Sequence, residues 1–265
     1  MVSEGGLDMK APAIVESKPF WVRVAALGVS LFLALVVVYL VVGLIQGDED
    51  TVGFAAVTGV VGLVALAMVL LARQWSLIVA ALLGLFGLVN FLGTVPDGIS
   101  SPDSFFDFIT VTVGIVGLIM LVIGCAVGFI RARSGHASMS GPPTAVLAVR
   151  ALLVMMLVTG VISAILTVTN KETVSAADAQ GAIVITANKA KWSTDTIDSS
   201  SSGTLKLLIK NSDPYLHTFT VKDLNMDFKL KPGSEKLIEL KSPLAGSHQF
   251  MCTIHTDMKG TIEVK

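Results

Sequence analysis

The side chains best suited to chemistry lie in one short segment near the C-terminus. The segment CTIHTDM supplies a thiol from Cys252, an imidazole from His255 and a thioether from Met258, and a second imidazole, His217, lies about 35 residues earlier. Two imidazoles and a thiolate in a trigonal arrangement, with a weak and distant thioether, are the ligands of a mononuclear blue copper site. Sulfur ligands suit Cu(I), and imidazoles accept either oxidation state. These residue types therefore predict a site for one copper ion.

The same residues give less support to other interpretations. Zinc is bound in proteins by cysteine, histidine and carboxylate groups, so Met258 argues against zinc. Taken singly, a cysteine, a histidine or a methionine in a β-domain is more often a packing or surface residue. The spacing of all four residues together favours a metal site.

The sequence offers Cys252 no disulfide partner. Cys125 is the other of the two cysteines, and it lies inside a long apolar run. About 20 helical residues at about 1.5 Å each would place it some 30 Å from the outer end of that run. His248 would share a strand face with Cys252 but lie about 13 Å from it. We therefore predict an unpaired Cys252 and a surface position for His248 outside the metal site.

The elements that must position these ligands are short β-rich runs. They cover residues 182–187, 204–210, 217–221, 236–240, 248–254 and 260–264. Turn-forming sequences such as SSSSG and KPGS separate them, and no long helical pattern intervenes. Short strands at this spacing predict a small β-sandwich.

The ligand pattern resembles that of the cupredoxins. Cys-x-x-His-x-x-Met precedes the closing strand KGTIEV, and Asn211 precedes His217 by six residues. The short loop between the second histidine and the methionine is most similar to that of amicyanin-like members. The resemblance covers residues 181–265 and implies an all-β Greek-key sandwich. It also implies one type 1 copper that alternates between Cu(I) and Cu(II).

The resemblance assigns roles by position. It makes His217, Cys252 and His255 the equatorial ligands and Met258 the axial ligand. Residues that follow ligands in this family often link the two ligand loops by hydrogen bonds, here Thr218 and Thr253. The family exchanges electrons through the second histidine, here His255, at an exposed apolar patch. The residues expected to form that patch are Pro214, Leu216 and Ile254.

Composition places the rest of the chain in a membrane. Hydrophobic residues make up 53% of the chain and charged residues 15%, and the mean hydropathy is +0.77. Five windows are long and apolar enough to span a lipid bilayer as helices. They are 20–46, 52–72, 75–95, 105–130 and 146–168. A net charge of −1 gives no basic surplus for nucleic acid, which we exclude as a partner.

Basic residues predict the orientation in the cytoplasmic membrane. Lysine and arginine occur in the N-terminal segment and in the second and fourth connections, whereas the first and third connections contain neither. Because basic flanks stay in the cytoplasm, we predict a cytoplasmic N-terminus and an extracytoplasmic C-terminal domain. The predicted regions are a tail at 1–19, five transmembrane helices at 20–168, a linker at 169–180 and a copper-binding domain at 181–265.

The predicted function is single-electron transport at the outer face of the membrane, without catalysis. The expected partner is a redox protein such as a cytochrome or a terminal oxidase. The alternative is copper acquisition, storage or sensing without redox turnover. A copper enzyme would need further histidines, and the chain has four in all. None of the five windows contains histidine, which excludes a bis-histidine haem among them. An anchor, a docking platform for a membrane protein and a quinone site remain open as roles of the helices.

Overall fold

The computed structural model describes residues 18–93, 95–200, 203–241, 245–255 and 257–265. Within these ranges six α-helices are followed by nine β-strands. Apart from its last two residues, the predicted tail at 1–19 lies outside the described residues. The expected order, long apolar helices followed by a β-domain, is confirmed at this level.

Five helices in the described part of the chain are long and apolar enough to cross a membrane. The six helices are α1 (Phe20–Gln46), α2 (Glu49–Leu71), α3 (Gln74–Phe91), α4 (Val95–Ser100), α5 (Phe105–Arg133) and α6 (Pro143–Thr169). Each predicted window begins and ends within four residues of the corresponding helix boundary. The six-residue helix α4 was not predicted, because its sequence VPDGIS is composed mainly of residues typical of turns.

Helices α1 and α5 pack closely because glycines remove side chains from their contact. A Cβ atom at Gly117 would lie 2.7 Å from the carbonyl oxygen of Gly28, and one at Gly124 would lie 2.6 Å from the amide nitrogen of Ala25. Small and branched residues of α1, α2, α3 and α5 form a buried core around this contact. Small residues such as Gly117 allow two helices to approach this closely.

Nine strands form two sheets. They are β1 (Ile183–Asn188), β2 (Lys191–Trp192), β3 (Thr196–Ser199), β4 (Thr204–Asn211), β5 (His217–Val221), β6 (Met226–Leu230), β7 (Glu235–Lys241), β8 (Gly246–Met251) and β9 (Lys259–Val264). One sheet has the order β2-β1-β4-β7 and the other β3-β9-β8-β5-β6. Strands β1 and β4 are parallel, as are β3 and β9. The core contains Ile185 and Leu207 of the first sheet and Phe219, Phe250 and Ile262 of the second.

Six strands correspond to predicted β-rich runs, and three were missed. Strand β2 has two residues and β3 has four, which is too short for a distinct apolar alternation. Strand β6, with the sequence MDFKL, does alternate apolar and charged residues, and this signal was missed. Strand β8 was predicted to continue to residue 254 but ends at Met251. The chain leaves the sheet there because residues 252–258 form the ligand loop.

One compact unit contains residues 39–54, 93–112 and 153–265, so the β-sandwich belongs with the adjoining ends of several helices. The Tyr215 hydroxyl donates to Gln46 Oε1 of α1 at 2.7 Å. Lys231 pairs with Asp103, in the connection before α5, at 2.8 Å. The segment after α6 is also bound to the sandwich, since the amide of Glu172 donates to Ser234 Oγ at 3.2 Å.

Candidate metal centre

Two hydrogen bonds between backbone groups close the loop between β8 and β9. The Cys252 amide donates to the Met258 carbonyl at 2.8 Å, and the Met258 amide donates to the His255 carbonyl at 3.0 Å. These bonds place both sulfur-bearing residues and His255 at one end of the sandwich. Cys252 and Met258 belong to the same buried cluster, together with Ala187.

The structure brings three of the four predicted ligands together. His217 Nδ1 lies 3.8 Å from Cys252 Sγ, and His255 Nδ1 lies 3.7 Å from the same sulfur. The ligand atoms of these three residues lie within 4.8 Å of one another. His217, Cys252 and Met258 are 0%, 1% and 2% exposed, whereas His255 is half-buried. The arrangement is an enclosed N₂S group with one partly accessible imidazole.

These separations fit a shared metal ion. Nitrogen and sulfur ligands about 2.0–2.3 Å from one ion, with angles of about 110–120°, lie about 3.6–3.8 Å from each other. The two sulfur–nitrogen distances, 3.8 and 3.7 Å, match that spacing. Both imidazoles turn the same nitrogen, Nδ1, toward the sulfur, as ligands of a common ion would.

The surroundings of Cys252 favour its thiolate form. Burial alone would raise the pKa of the thiol, but hydrogen bonds with His217 and His255 and with two backbone amides lower it to about 5. The amides are those of Thr218, at 3.3 Å, and His255, at 3.4 Å. Because the thiolate is the form that binds metals, the folded loop holds Cys252 ready for a cation.

Comparison with known proteins agrees with this geometry. A family model described as a cupredoxin-like domain matches residues 155–264. The C-terminal domain is cupredoxin-like. The match begins inside α6, before the first strand at Ile183.

The solved structures similar to this chain include amicyanins. A reduced amicyanin variant is 24% identical, with 32% of this chain and 84% of that chain covered and a TM-score of 0.27. A Cu(I) amicyanin variant is 26% identical, with 36% and 93% covered and a TM-score of 0.28. Amicyanin from Paracoccus versutus is 23% identical, with 35% and 90% covered and a TM-score of 0.29. No curated protein matches the chain.

Two threonines link the ligand loops of the cupredoxin-like domain, as predicted. The Thr253 amide donates to Thr218 Oγ1 at 2.8 Å, and the two hydroxyl oxygens lie 3.0 Å apart. Thr218 follows His217 and Thr253 follows Cys252, so these bonds fix the separation of the two ligand-bearing segments.

A buried carboxylate that sequence analysis missed orients His217. Asp213 Oδ2 lies 2.8 Å from His217 Nε2, and the same carboxylate accepts hydrogen bonds from the amides of Lys189 and Ala190. Burial opposes the charge on Asp213, but these three bonds outweigh it and lower the pKa of the carboxyl. By holding Nε2, Asp213 directs Nδ1 of His217 toward Cys252. The signal available in the sequence was its position four residues before His217, within the turn-forming segment NSDP.

Two predictions about the surface near the site are wrong. Leu216, expected in an exposed apolar patch, is 1% exposed, and its amide donates to Asp107 of α5. Pro214 is exposed and Ile254 is half-buried. His248, expected at the surface, is buried and contacts Asp223. It lies outside the group formed by His217, Cys252 and His255.

Proposed function

We propose that this protein is a membrane-anchored blue copper protein that carries single electrons at the outer face of the cytoplasmic membrane. The observation that carries this proposal is the convergence of ligand atoms of His217, Cys252 and His255 within 4.8 Å of one another. Two imidazoles and one thiolate, with Met258 in the same loop, are the ligand types of a blue copper site.

The residues around the site support rapid changes of oxidation state. Copper, when bound, would supply a one-electron couple. The chain supplies a thiolate held by two amides, a first imidazole fixed by Asp213, and loops joined by Thr218 and Thr253. Ligands held in this way limit the structural rearrangement that accompanies each electron transfer. The resulting site is suited to outer-sphere electron transfer.

The burial of the ligands argues for a carrier and against a catalyst. Catalytic metal sites keep a coordination position open for water or substrate. Here two ligands and Met258 are almost fully buried, and only His255 is partly accessible. Electrons can enter and leave through the accessible edge of the His255 ring, and this route does not require a substrate to reach the metal.

Several contacts support the proposed location. Tyr215 binds Gln46, at the end of α1, and Lys231 binds Asp103, in the third connection. These contacts support a position of the cupredoxin-like domain beside the first and third connections, which lack lysine and arginine. Under the rule that basic connections remain inside, that side would be extracytoplasmic.

The proposed partner is a cytochrome or terminal oxidase at the same membrane face. Electron-transfer encounters bury small areas and are weak. Holding the copper domain at the membrane would compensate by raising its concentration near a membrane-bound partner.

Copper titration of the full-length protein in detergent tests the metal site. The wild type should become intensely coloured with Cu(II) through charge transfer from the Cys252 thiolate, and Cys252→Ser should abolish the band. Cys125→Ser, which alters the other cysteine, is the matched control and should keep it. A colourless protein that prefers zinc would overturn the proposal.

Stopped-flow mixing of the copper-loaded protein with reduced or oxidised cytochrome c tests the carrier role. We expect rapid exchange that is slowed by Ile254→Lys, with the copper spectrum unchanged. If the copper is inert toward redox proteins but passes readily to metal-free acceptor proteins, the protein handles copper and does not carry electrons.

A further inference from the structure

A carboxylate from a membrane-spanning helix reaches the strand that begins with His217. Asp107, in the first turn of α5, accepts a hydrogen bond from the Leu216 amide at 2.7 Å. The Ser104 hydroxyl donates to the same oxygen, Asp107 Oδ2. Both contacts use the same oxygen of Asp107 as an acceptor. Because Leu216 directly precedes His217, this contact fixes the backbone at the first metal ligand.

The residue before Leu216 is also held by a helix. The Tyr215 hydroxyl donates to Gln46 at the end of α1. The Tyr215 ring packs against both ligand imidazoles, with centroid distances of 5.3 Å to His217 and 5.2 Å to His255. Tyr215 is buried, so it forms one wall of the metal centre.

Strand β6, the neighbour of the ligand strand, makes a third attachment. Leu230 pairs with His217 in the sheet. On either side of Leu230, Lys229 pairs with Asp97 at 3.4 Å and Lys231 pairs with Asp103 at 2.8 Å. The metal-bearing end of the sandwich is therefore attached to the helix ends at several points.

We propose that the helices complete the metal centre, with Asp107 as a residue that positions His217 and lowers the reduction potential of the bound copper. This inference rests on the proposed copper function. A fixed negative charge near the ion stabilises Cu(II) more than Cu(I), and its effect is larger in a partly buried site than in water. The hydrogen bond to Leu216 holds the ligand backbone at a set position relative to that charge. The helical region thus acts on the copper itself and is more than an anchor.

The full-length Asp107→Asn variant separates charge from hydrogen bonding. The amide keeps the size of the side chain and an acceptor oxygen for Leu216, but it removes the charge. In general, a unit charge about 10 Å from an ion, at an effective dielectric constant of about 20–40, changes a one-electron equilibrium about four- to fifteenfold. We expect the Cu(I)/Cu(II) ratio at fixed solution potential to rise by that factor, with the copper absorption band retained.

Asp97→Asn is the matched control. It removes a carboxylate that also contacts the sandwich, but that side chain is 52% exposed and pairs with Lys229. The ratio should change less than twofold in this variant. An unchanged ratio in Asp107→Asn, or an equal change in both variants, overturns the role of Asp107 in setting the potential.

Hydrogen exchange in the metal-free protein tests the positioning role without copper. The Leu216 amide should exchange at least tenfold faster in Asp107→Ala than in the wild type, while Asp107→Asn retains most of the protection. Equal Leu216 exchange in Asp107→Ala and wild type contradicts this contact. If the wild type binds no copper but its Leu216 amide exchanges as expected, the proposed function is wrong, whereas the contact between Asp107 and Leu216 is supported.

Discussion

At the scale of single residues, the site depends on groups that control the charge and direction of its ligands. Cys252 carries the negative charge, and its thiolate accepts bonds from two backbone amides. Asp213 holds His217, and the two threonines hold the loops together. Residues that bind no metal therefore prepare the geometry that a metal requires.

The first prediction concerns the protonation of Cys252 in the metal-free protein. Its pKa of about 5 in the folded state lies below the ordinary thiol value of about 8.5. The thiolate should therefore persist as the pH falls from 9 to about 6 and be lost as the pH falls through about 5. The stability that ionisation contributes follows the same direction: it is complete above about pH 8.5 and declines as the pH falls toward 5.

Ultraviolet absorption of the thiolate, followed against pH in a Cys125→Ser background, measures this titration. The further change Cys252→Ser should remove the transition. A midpoint near 8.5 would show that the hydrogen bonds to Cys252 do not stabilise its thiolate.

The second prediction concerns Met258. Replacement by leucine conserves volume and apolar packing in the buried cluster but removes the thioether. Copper should still bind, and the reduction potential should rise because loss of the axial sulfur disfavours Cu(II) more than Cu(I). Redox titration of the copper band measures the change, and Met251→Leu, at the end of β8, is the control. Equal potentials in wild type and Met258→Leu would exclude the thioether as a ligand.

At the scale of elements, helix packing and sheet packing follow different rules in this chain. Helices α1 and α5 meet at glycines. Between helices in a bilayer there is little hydrophobic driving force, so van der Waals contact at close approach must supply the attraction. The sandwich instead buries large side chains such as Phe219 and Phe250 between its sheets. A small core of this kind limits the stability of the domain. The hydrogen bonds and ion pairs with the helix ends add to that stability.

The third prediction tests the contact of α1 with α5. At Gly124 a Cβ atom would lie 2.6 Å from the Ala25 amide nitrogen, whereas at Gly53 nothing lies within 4 Å. Gly124→Ala should reduce the free energy of unfolding by about 1–3 kcal/mol through overpacking. Gly53→Ala, also in a helix, should be neutral or stabilising by up to about 1 kcal/mol. Unfolding of both variants in mixed detergent micelles measures the difference, and equal effects would show that α1 and α5 do not pack as described.

At the scale of the whole molecule, the helices and the cupredoxin-like domain are joined by more than a linker. The compact unit that holds the sandwich also includes the ends of α1 and α5. Its contacts, such as Asp107 with Leu216 and Gln46 with Tyr215, reach the residues just before His217. A domain attached in this way would stay close to the membrane and to partners within it.

The fourth prediction is the orientation in the membrane. Ser247→Cys places an exposed thiol in the sandwich, and Ser134→Cys places one in the connection between α5 and α6. In intact spheroplasts a membrane-impermeant maleimide should label the first variant and not the second, because the connections that contain basic residues remain inside. Labelling of Ser134→Cys alone would reverse the proposed topology. Lysed cells, in which both should react, provide the control.

The sequence by itself determined the features that depend on local pattern. Apolar runs of sufficient length located five long apolar helices, and β-rich runs located six of the nine strands in the described residues. The residue types and spacing of His217, Cys252, His255 and Met258 predicted a set of metal ligands. These signals are readable because each arises from residues near one another in the chain, where helix and strand periodicity dictate which side chains share a face.

Only the tertiary structure decided which residues complete the site. Asp107 and Leu216 are 109 positions apart, and no periodicity relates a carboxylate at the start of a helix to the amide of a distant strand. Asp213 lies in a turn whose composition predicts a bend but not a bond to His217. Strands β2 and β3 are too short to show a pattern of their own, and they pair with the neighbouring strands β1 and β9. Such contacts depend on how elements pack against one another, and their physical cause lies outside any local stretch of sequence.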